Sequence, residues 1–340
     1  ALSLLSPHAV SNPQDSGIIK KSGIRTEMYI AFANDNGKIG VFTANRQEKL
    51  AGWLIWETDG EYQSVAGTTG FLYTAVKRTI NSSTKYYLEQ FASSAWDVPT
   101  DCTQSKIISG SYQPHGTPLI NGSHSSAFHI LVDGFSNAPS AGETFKISST
   151  EYVIQSVTAT GNTGEYILTV PTAISASDNT AIEFVTSKVF TGLTHLAAKE
   201  VHATSGSTED AQLGYYGKGT VTAGGVVTFD QPAAACDIGL DYTVDIETLP
   251  LDAVNAIRGL GSTYGLPRKL GKTILELSKT YNLQVNGNDV LLNDDGLTMV
   301  GYTGKKDVHT LGYSQTPFVT ITQTIPIPFR IVSITSEVYF

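Results

Sequence analysis

Met28-Tyr29-Ile30-Ala31-Phe32-Ala33 and Lys38-Ile39-Gly40-Val41-Phe42-Thr43 flank the tetrapeptide Asn34-Asp35-Asn36-Gly37. The first stretch is apolar. In the second, Ile39, Val41 and Thr43 fall on one face of a two-residue repeat, the period of a strand. Asn and Gly tolerate positive φ, which a tight hairpin turn demands. Two antiparallel strands are therefore predicted, and the pattern continues outward. Ala51–Glu57 carries Trp53, Ile55 and Trp56, Thr58-Asp59-Gly60 turns, and Glu61–Ala66, Phe71–Val76 and Tyr86–Phe91 follow. Strands roughly every 10 residues with Gly turns predict meandering antiparallel sheets. Residues 28–66 fit one four-stranded propeller blade, with another starting near Phe71.

Further along, Pro99, Pro114, Gly116 and Pro118 interrupt regular structure, so 92–124 reads as a connector. A compact unit follows over 126–190. Its candidate strands are Ala127–Val132, Phe145–Ile147, Tyr152–Val157, Tyr166–Val170 and Ile182–Val185, an inserted small β-barrel or sandwich. In 191–340, Thr220–Thr222 and Val226–Phe229 bracket Ala223-Gly224-Gly225, a hairpin signal. Leu251–Arg258 is the one short helix predicted, with Leu251, Val254 and Ile257 on a stripe. Thr273–Leu277, Leu283–Val285, Val290–Leu292, Phe318–Gln323 and Phe329–Tyr339 read as strands.

Composition agrees with an all-β chain. Its 340 residues suggest about two domains at ~150 residues each. Charged residues are 16%, against about 25% in typical proteins. Serine and threonine supply about a fifth of the chain and glycine another 32 residues. Helical bundles and coiled coils need a different composition, and 41% apolar residues argue against disorder. The net charge of −9 excludes a generic basic nucleic-acid binder that relies on counterion release. It leaves open an acidic surface past which nucleic acid slides without sticking. No apolar run approaches the ~18 residues of a membrane-spanning helix.

Motifs for chemistry are sparse. Cys102 and Cys236 stand 134 residues apart with no CxxC, so neither zinc nor any cofactor is expected, and two buried small residues are the simplest reading. The seven histidines are scattered, and His195 and His202 lack helical metal-pair spacing. Asn34–Gly37 and Asn293-Asp294-Asp295-Gly296 resemble the front of a calcium loop, but the later Glu and flanking helices are missing. Asp59 and Glu61, and Asp241, Asp245 and Glu247, are carboxylates at strand spacing, read as turn caps and solvated edges. Gly259-Leu260-Gly261 follows the expected helix instead of opening one, so it is no dinucleotide turn. Nothing nominates a nucleophile, and no enzymatic activity is expected. Arg258, Arg268, Lys269, Lys272, Lys305 and Lys306 form the densest basic group. They read as a solvated or ion-paired surface, or as a phosphate-facing ring or interface in an oligomer.

A family resemblance reaches further. Leu2-Ser3-Leu4-Leu5-Ser6-Pro7-His8, Asn34-Asp35-Asn36-Gly37 and Val41-Phe42-Thr43 begin a series of short matches. Ala51-Gly52-Trp53 and Trp56-Glu57-Thr58-Asp59-Gly60-Glu61-Tyr62-Gln63-Ser64-Val65-Ala66 come next. Leu72-Tyr73-Thr74-Ala75-Val76-Lys77-Arg78, Tyr87-Leu88-Glu89-Gln90-Phe91 and Gly192-Leu193-Thr194-His195-Leu196-Ala197-Ala198-Lys199-Glu200-Val201 continue it. Gly239-Leu240-Asp241-Tyr242, Glu247-Thr248-Leu249-Pro250-Leu251, Gly301-Tyr302-Thr303-Gly304 and the strand Ile331–Val338 complete it. In this order the series resembles the tail nozzle proteins (tail tubular protein B) of short-tailed bacteriophages, over their C-terminal half. The resemblance implies a structural virion protein of the tail. It would form a homo-oligomeric, usually hexameric, ring below the portal and the tail adaptor, continue the channel through which genomic DNA leaves, and support fibres or spikes. It also implies last propeller strands over 1–95, a connector over 96–125, the inserted module over 126–190 and a platform β domain over 191–340. The basic strand that follows the Gly/Lys turn in relatives is reduced here to Lys272-Thr273-Ile274-Leu275-Glu276-Leu277-Ser278. Two other classes compete. One is a carbohydrate-binding host-recognition protein stacking sugars on Trp53, Trp56, Tyr86-Tyr87 or Tyr215-Tyr216. The other is a glycan-degrading propeller enzyme using paired carboxylates.

Overall fold

The computed structural model describes residues 8–19, 28–45, 50–91, 100–205, 214–249, 267–292, 301–309, 313–323 and 325–339. Among the described residues the fold is all-β, with 64% strand and 1% helix, the latter the 3-10 turn Thr194–Leu196. Two compact units emerge. The first comprises Ala1–Ser93, Thr100–Ser205 and Tyr215–Leu240, and the second Ser94–Pro99, Gly206–Gly214 and Asp241–Phe340. The segment expected as one platform, 191–340, is thus divided at Leu240.

Within the first unit, Pro13–Ile19, Tyr29–Asn34, Ile39–Asn45 and Leu50–Trp56 form a four-stranded meander in chain order. Glu61–Gly67, Leu72–Ile80 and Ser83–Gln90 form a three-stranded one. The four-stranded frame therefore starts one strand earlier than 28–66, and Glu61–Gly67 belongs to the next sheet. Pro13–Ile19 escapes sequence reading because its apolar content is confined to its last residues. It is a strand through pairing with Tyr29–Asn34. The expected hairpin turn is present. The Asn34 N–H donates to Lys38 O (2.9 Å), the Gly37 N–H to Asn34 O (3.1 Å), and Gly37 sits at φ +77°. The buried Asn34 side chain also donates to Ala9 O, 3.1 Å away.

The two sheets bury one core, with Ile19, Ala31, Ala33, Ile39 and Val41 from the first and Tyr62, Val65, Leu72 and Val76 from the second. The layers meet closely where side chains are absent. A Cβ on Gly67 would lie 2.1 Å from Ile18 O, and one on Gly17 2.9 Å from Gly67 N. Asp15 adds a polar tie by accepting the Val65 N–H at 3.0 Å.

The predicted connector holds two strands, Asp101–Ile107 and Gly116–Ile120. Asp101–Ile107 lacks apolar alternation and owes its conformation to antiparallel pairing with Ala235–Leu240. That sheet is completed by Glu200–Thr204 and Tyr215–Thr220. Gly116–Ile120 joins His124–Phe135, Tyr166–Ala176 and Ser156–Ala159. These strands help enclose the core expected for the inserted module, with Ile120, Ile130, Val132, Phe145, Leu168 and Phe184 at its centre. Thr150–Val153, Thr144–Ile147, Glu183–Phe190 and Val227–Ala233 form a further sheet, so the module runs directly into its surroundings. The turn at 222–225 forms, with Thr222 N–H to Val226 O at 2.8 Å. Its arms do not pair as a simple hairpin. Tyr215–Thr220 pairs with Glu200–Thr204, while Val227–Ala233 pairs with Glu183–Phe190.

In the second unit, Lys269–Thr280 runs between Tyr302–His309 and Ile331–Tyr339. Val244–Glu247, Thr320–Gln323, Gln284–Val285 and Asn288–Asp289 make its other sheet. Leu270, Leu275, Leu277, Leu283, Val285, Val319 and Ile321 fill the core. The helix predicted at Leu251–Arg258 and the turn at Asn293–Gly296 lie outside the described residues.

Replacing Gly67 with Ala forces a methyl group against backbone, where no side chain can yield. Gly67→Ala is expected to lose about 1–3 kcal/mol. The urea midpoint, set against an Ala placed at the open position Gly52, measures it.

Candidate functional site

The basic group separates by position. Arg258 lies outside the described residues. Arg268 is fully buried and donates from Nη2 to Gln315 O at 2.6 Å. Lys269 opens the central strand of the second unit, half-buried. Lys306 lies on the strand face that includes Tyr302, with its Nζ 4.9 Å from the centre of that ring. Lys272 and Lys305 share the opposite, outer face, because the register sets Lys272 against His309 and Glu276 against Lys305. Lys272 is paired with Asp307 at 2.6 Å, and the hydrogen bond to that carboxylate raises its pKa.

That outer face is mainly polar, with Ile274 its apolar member on the central strand. Tyr302–His309 contributes Thr303, Lys305, Asp307 and His309, all exposed. The central strand contributes Lys272, Ile274, Glu276 and Ser278, and Ile331–Tyr339 contributes Ser333, Thr335 and Glu337. The Ser333 hydroxyl donates to Glu276 Oε2 at 3.0 Å and the Tyr339 hydroxyl to Glu337 Oε2 at 3.0 Å. Lys272 and Lys305 are thus interleaved with Asp307, Glu276 and Glu337, and hydroxyl groups fill the intervals.

Two buried polar networks had no signature in the sequence. In the first, Arg78 lies on the core face of Leu72–Ile80 with 0% of its side chain exposed. A bare guanidinium there would be prohibitive, and it is surrounded by acceptors. Nε and Nη2 fork onto the two oxygens of Glu89 at 2.7 and 2.8 Å, Nη1 donates to Asp59 O at 2.7 Å, and Nη2 reaches Asp101 at 3.3 Å. Thr58 donates its hydroxyl to Asp101. The network joins the three-stranded sheet to the start of Asp101–Ile107, within the first unit. Burial, then the charges of Asp101 and Glu89, raise the pKa of Tyr62 beside it. Cys102 follows at φ +50°, and burial followed by the Glu89 charge pushes its thiol up to about 12. Burial also pushes Cys236 up to about 12.

The second network lies against the core that contains Phe135 and Phe184. His115, Glu143 and Ser187 are each 0% exposed. His115 Nδ1 faces Asn137 O at 3.0 Å, a carbonyl that only accepts, so this nitrogen carries a hydrogen. Nε2 meets the Ser187 hydroxyl at 2.9 Å and Glu143 Oε2 at 3.2 Å. Glu143 also accepts the Lys188 N–H at 2.7 Å and the Ser140 N–H at 2.8 Å. A hydrolytic triad puts its acid on one imidazole nitrogen and its nucleophile on the other. Here both crowd Nε2 in a sealed site, so the trio is a structural tie.

The other sequence candidates are placed as follows. Asp59 is paired with Lys199 at 2.7 Å and Glu61 with Lys77 at 3.0 Å. Asp245 and Glu247 are exposed on Val244–Glu247, and Asp241 precedes that strand. Trp53 packs on Phe42 and Phe32, and Trp56 on Phe91 and Tyr29. Tyr215 contacts His202 Nδ1 through its hydroxyl at 2.9 Å, Tyr216 packs on a core, and Tyr86 is exposed. Burial lowers the pKa of His195. Among the described residues, no group of three His, Cys, Asp or Glu side chains converges to hold a metal ion. No protein-family model matches the sequence, and no curated protein matches it.

Removing one member of a buried pair leaves the other uncompensated. Glu89→Ala is expected to cost about 3–5 kcal/mol, read from urea unfolding. Thiols held near 12 carry almost no thiolate at pH 8, so a thiol-specific chromophoric reagent should label Cys102 and Cys236 only after unfolding. The same shifts favour the protonated thiol in the folded state. Their stabilisation is complete below the ordinary thiol pKa of about 8.5 and is lost as pH rises toward 12.

Proposed function

We propose that this chain is a structural subunit of a short-tailed bacteriophage tail. It assembles into a homo-oligomeric ring, a hexamer in the proteins it resembles. The ring continues the DNA-ejection channel below portal and adaptor and supports fibres or spikes. The motif series read in order along the chain motivates this reading, and an all-β architecture is compatible with it.

The observation that carries it is the outer face of Lys269–Thr280 and its two neighbours. A conduit must let duplex DNA pass while avoiding attachment. DNA presents one charge per ~1.7 Å, so several uncompensated lysines on a wall would arrest it by counterion release. On this face Lys272 is held by Asp307, Lys305 stands opposite Glu276, and Glu337 adds negative charge. Hydroxyls of Thr303, Ser333 and Thr335 fill the intervals. We assign this face to the channel wall, which requires nothing of the chain beyond closure around the DNA.

The first test is electron microscopy of the native particle or the purified assembly, with a ring on the tail axis expected. A monomer with a ligand cleft would overturn the reading. The wall is tested by charge. The wild-type assembly should fail to retain linear duplex DNA at about 150 mM salt. Converting Asp307, Glu276 and Glu337 to Lys should create binding that is at least ~10-fold weaker at 200 mM than at 50 mM salt. A triple variant that remains inert toward DNA would remove this face from the wall.

A further inference from the structure

We propose that copies of this chain join edge to edge, the strand Leu50–Trp56 of one copy adding to the strand Ser83–Gln90 of the next. The starting point is a comparison inside the first unit. Its two meanders are built alike, but the first has four strands and the second three. In the first, the third strand, Ile39–Asn45, is covered along its length by Leu50–Trp56. In the second, Ser83–Gln90 pairs with Leu72–Ile80, and no described residue pairs with its other side. The four-stranded sheet thus displays the kind of strand that completes such an edge.

Leu50–Trp56 is itself the open edge of its sheet and has no second neighbour among the described residues. Natural edge strands are normally blunted by proline, bulges or lysine. Leu-Ala-Gly-Trp-Leu-Ile-Trp has no proline and no charge, and its pairing runs without a bulge. Ser83–Gln90 also lacks proline and bulge. Its one carboxylate, Glu89, is turned inward onto Arg78, which leaves Lys85 as the only charge at the edge. Large apolar side chains are exposed on both strands, Tyr86 at 68% and Leu88 at 80% on one, Leu54 at 47% and Ile55 at 40% on the other. Around Gly52 the space is open, with no atom within 4 Å of a Cβ built there. Backbone donors and acceptors with exposed apolar flanks on both strands suit addition of one strand to the other.

The two edges belong to sheets that share one core, so every copy holds them in a fixed relation. Because they differ, the contact is heterologous. Each added copy leaves one edge of each kind open, and such a series ends in a ring or continues as a filament. The inference rests on the ring reading for that closure alone.

The test uses the whole chain with a lysine on one edge at a time, Leu54→Lys or Leu88→Lys. Both positions are exposed, and circular dichroism should match the wild type. Alone, each variant should be monomeric by light scattering. Mixed one to one, they retain one intact edge of each kind and should form dimers. Hydrogen exchange on the unmutated chain gives a second reading. Amides in 50–56 and 83–90 that are open in the dilute monomer should gain at least about tenfold protection on assembly. Variants that assemble like the wild type, a mixture that stays monomeric, or edge amides already protected in the monomer would each overturn the pairing. A closed ring indifferent to both lysines would sink the pairing and spare the ring. Filaments abolished by both would sustain the pairing and sink the ring.

Discussion

With almost no helix among its described residues, the chain must satisfy its backbone between strands, and this requirement shapes everything else described in the molecule. A helix closes its hydrogen bonds within itself, whereas a strand always leaves one side for a neighbour. Among the described residues, seven sheets of three or four strands therefore bring a large number of edges. Some are covered locally, as where Asp15 receives the Val65 N–H and Gly67 lets Ile18 approach. Others stay open, and an open, uncharged, bulge-free edge is a hazard unless the native state includes something to meet it. Assembly is one physical answer to that hazard, which is why a ring-forming role and an all-β fold are mutually consistent.

Stacked sheets also need their relative placement fixed, because apolar contact is non-directional. Here the polar networks matter more than their net energy. A buried ion pair gains little over a well-packed apolar substitute, but its fork geometry is exacting. Arg78 reaches Glu89 on the next strand, the Asp59 carbonyl in the turn before its sheet and Asp101 at the start of another sheet. A shift of one residue would misdirect at least one of these contacts. His115 does the same beside Phe184, bringing the Asn137 carbonyl, Glu143 and Ser187 to one ring.

Legibility in the sequence followed the strength of local patterning. Met28–Thr43 was readable because alternation and the Asn-Gly turn agree, and both strands and the turn are present. Pro13–Ile19 and Asp101–Ile107 were opaque because their strand character comes from a distant partner. The turn at 222–225 was visible, while the divergence of its arms into two sheets was not, since turn chemistry says nothing of what lies beyond. His115, Glu143 and Ser187 belong to no motif, and the matched stretch that ends at Arg78 does not mark it as the centre of a buried network. Each is ordinary in its neighbourhood and becomes a network only when strands far apart in sequence converge. The basic group was visible as composition, yet its division depended on strand parity. Arg268 turned inward, Lys306 shared a face with Tyr302, and Lys272 and Lys305 faced outward.

That division bears on the proposed channel. A chain with 22 basic and 31 acidic residues has enough lysine and arginine to make an adhesive stripe if they fell on one face. Net negative charge does not prevent this, because duplex DNA responds to charges within a Debye length of about 10 Å and not to the sum over the chain. What prevents it is local compensation. Strand alternation sends Lys306 to the face opposite Lys305, and cross-strand register places Glu276 against Lys305. Asp307 meets Lys272 at 2.6 Å. A low-friction wall for a polyanion is then a property of register, set by the same ladder of backbone hydrogen bonds that sets the fold.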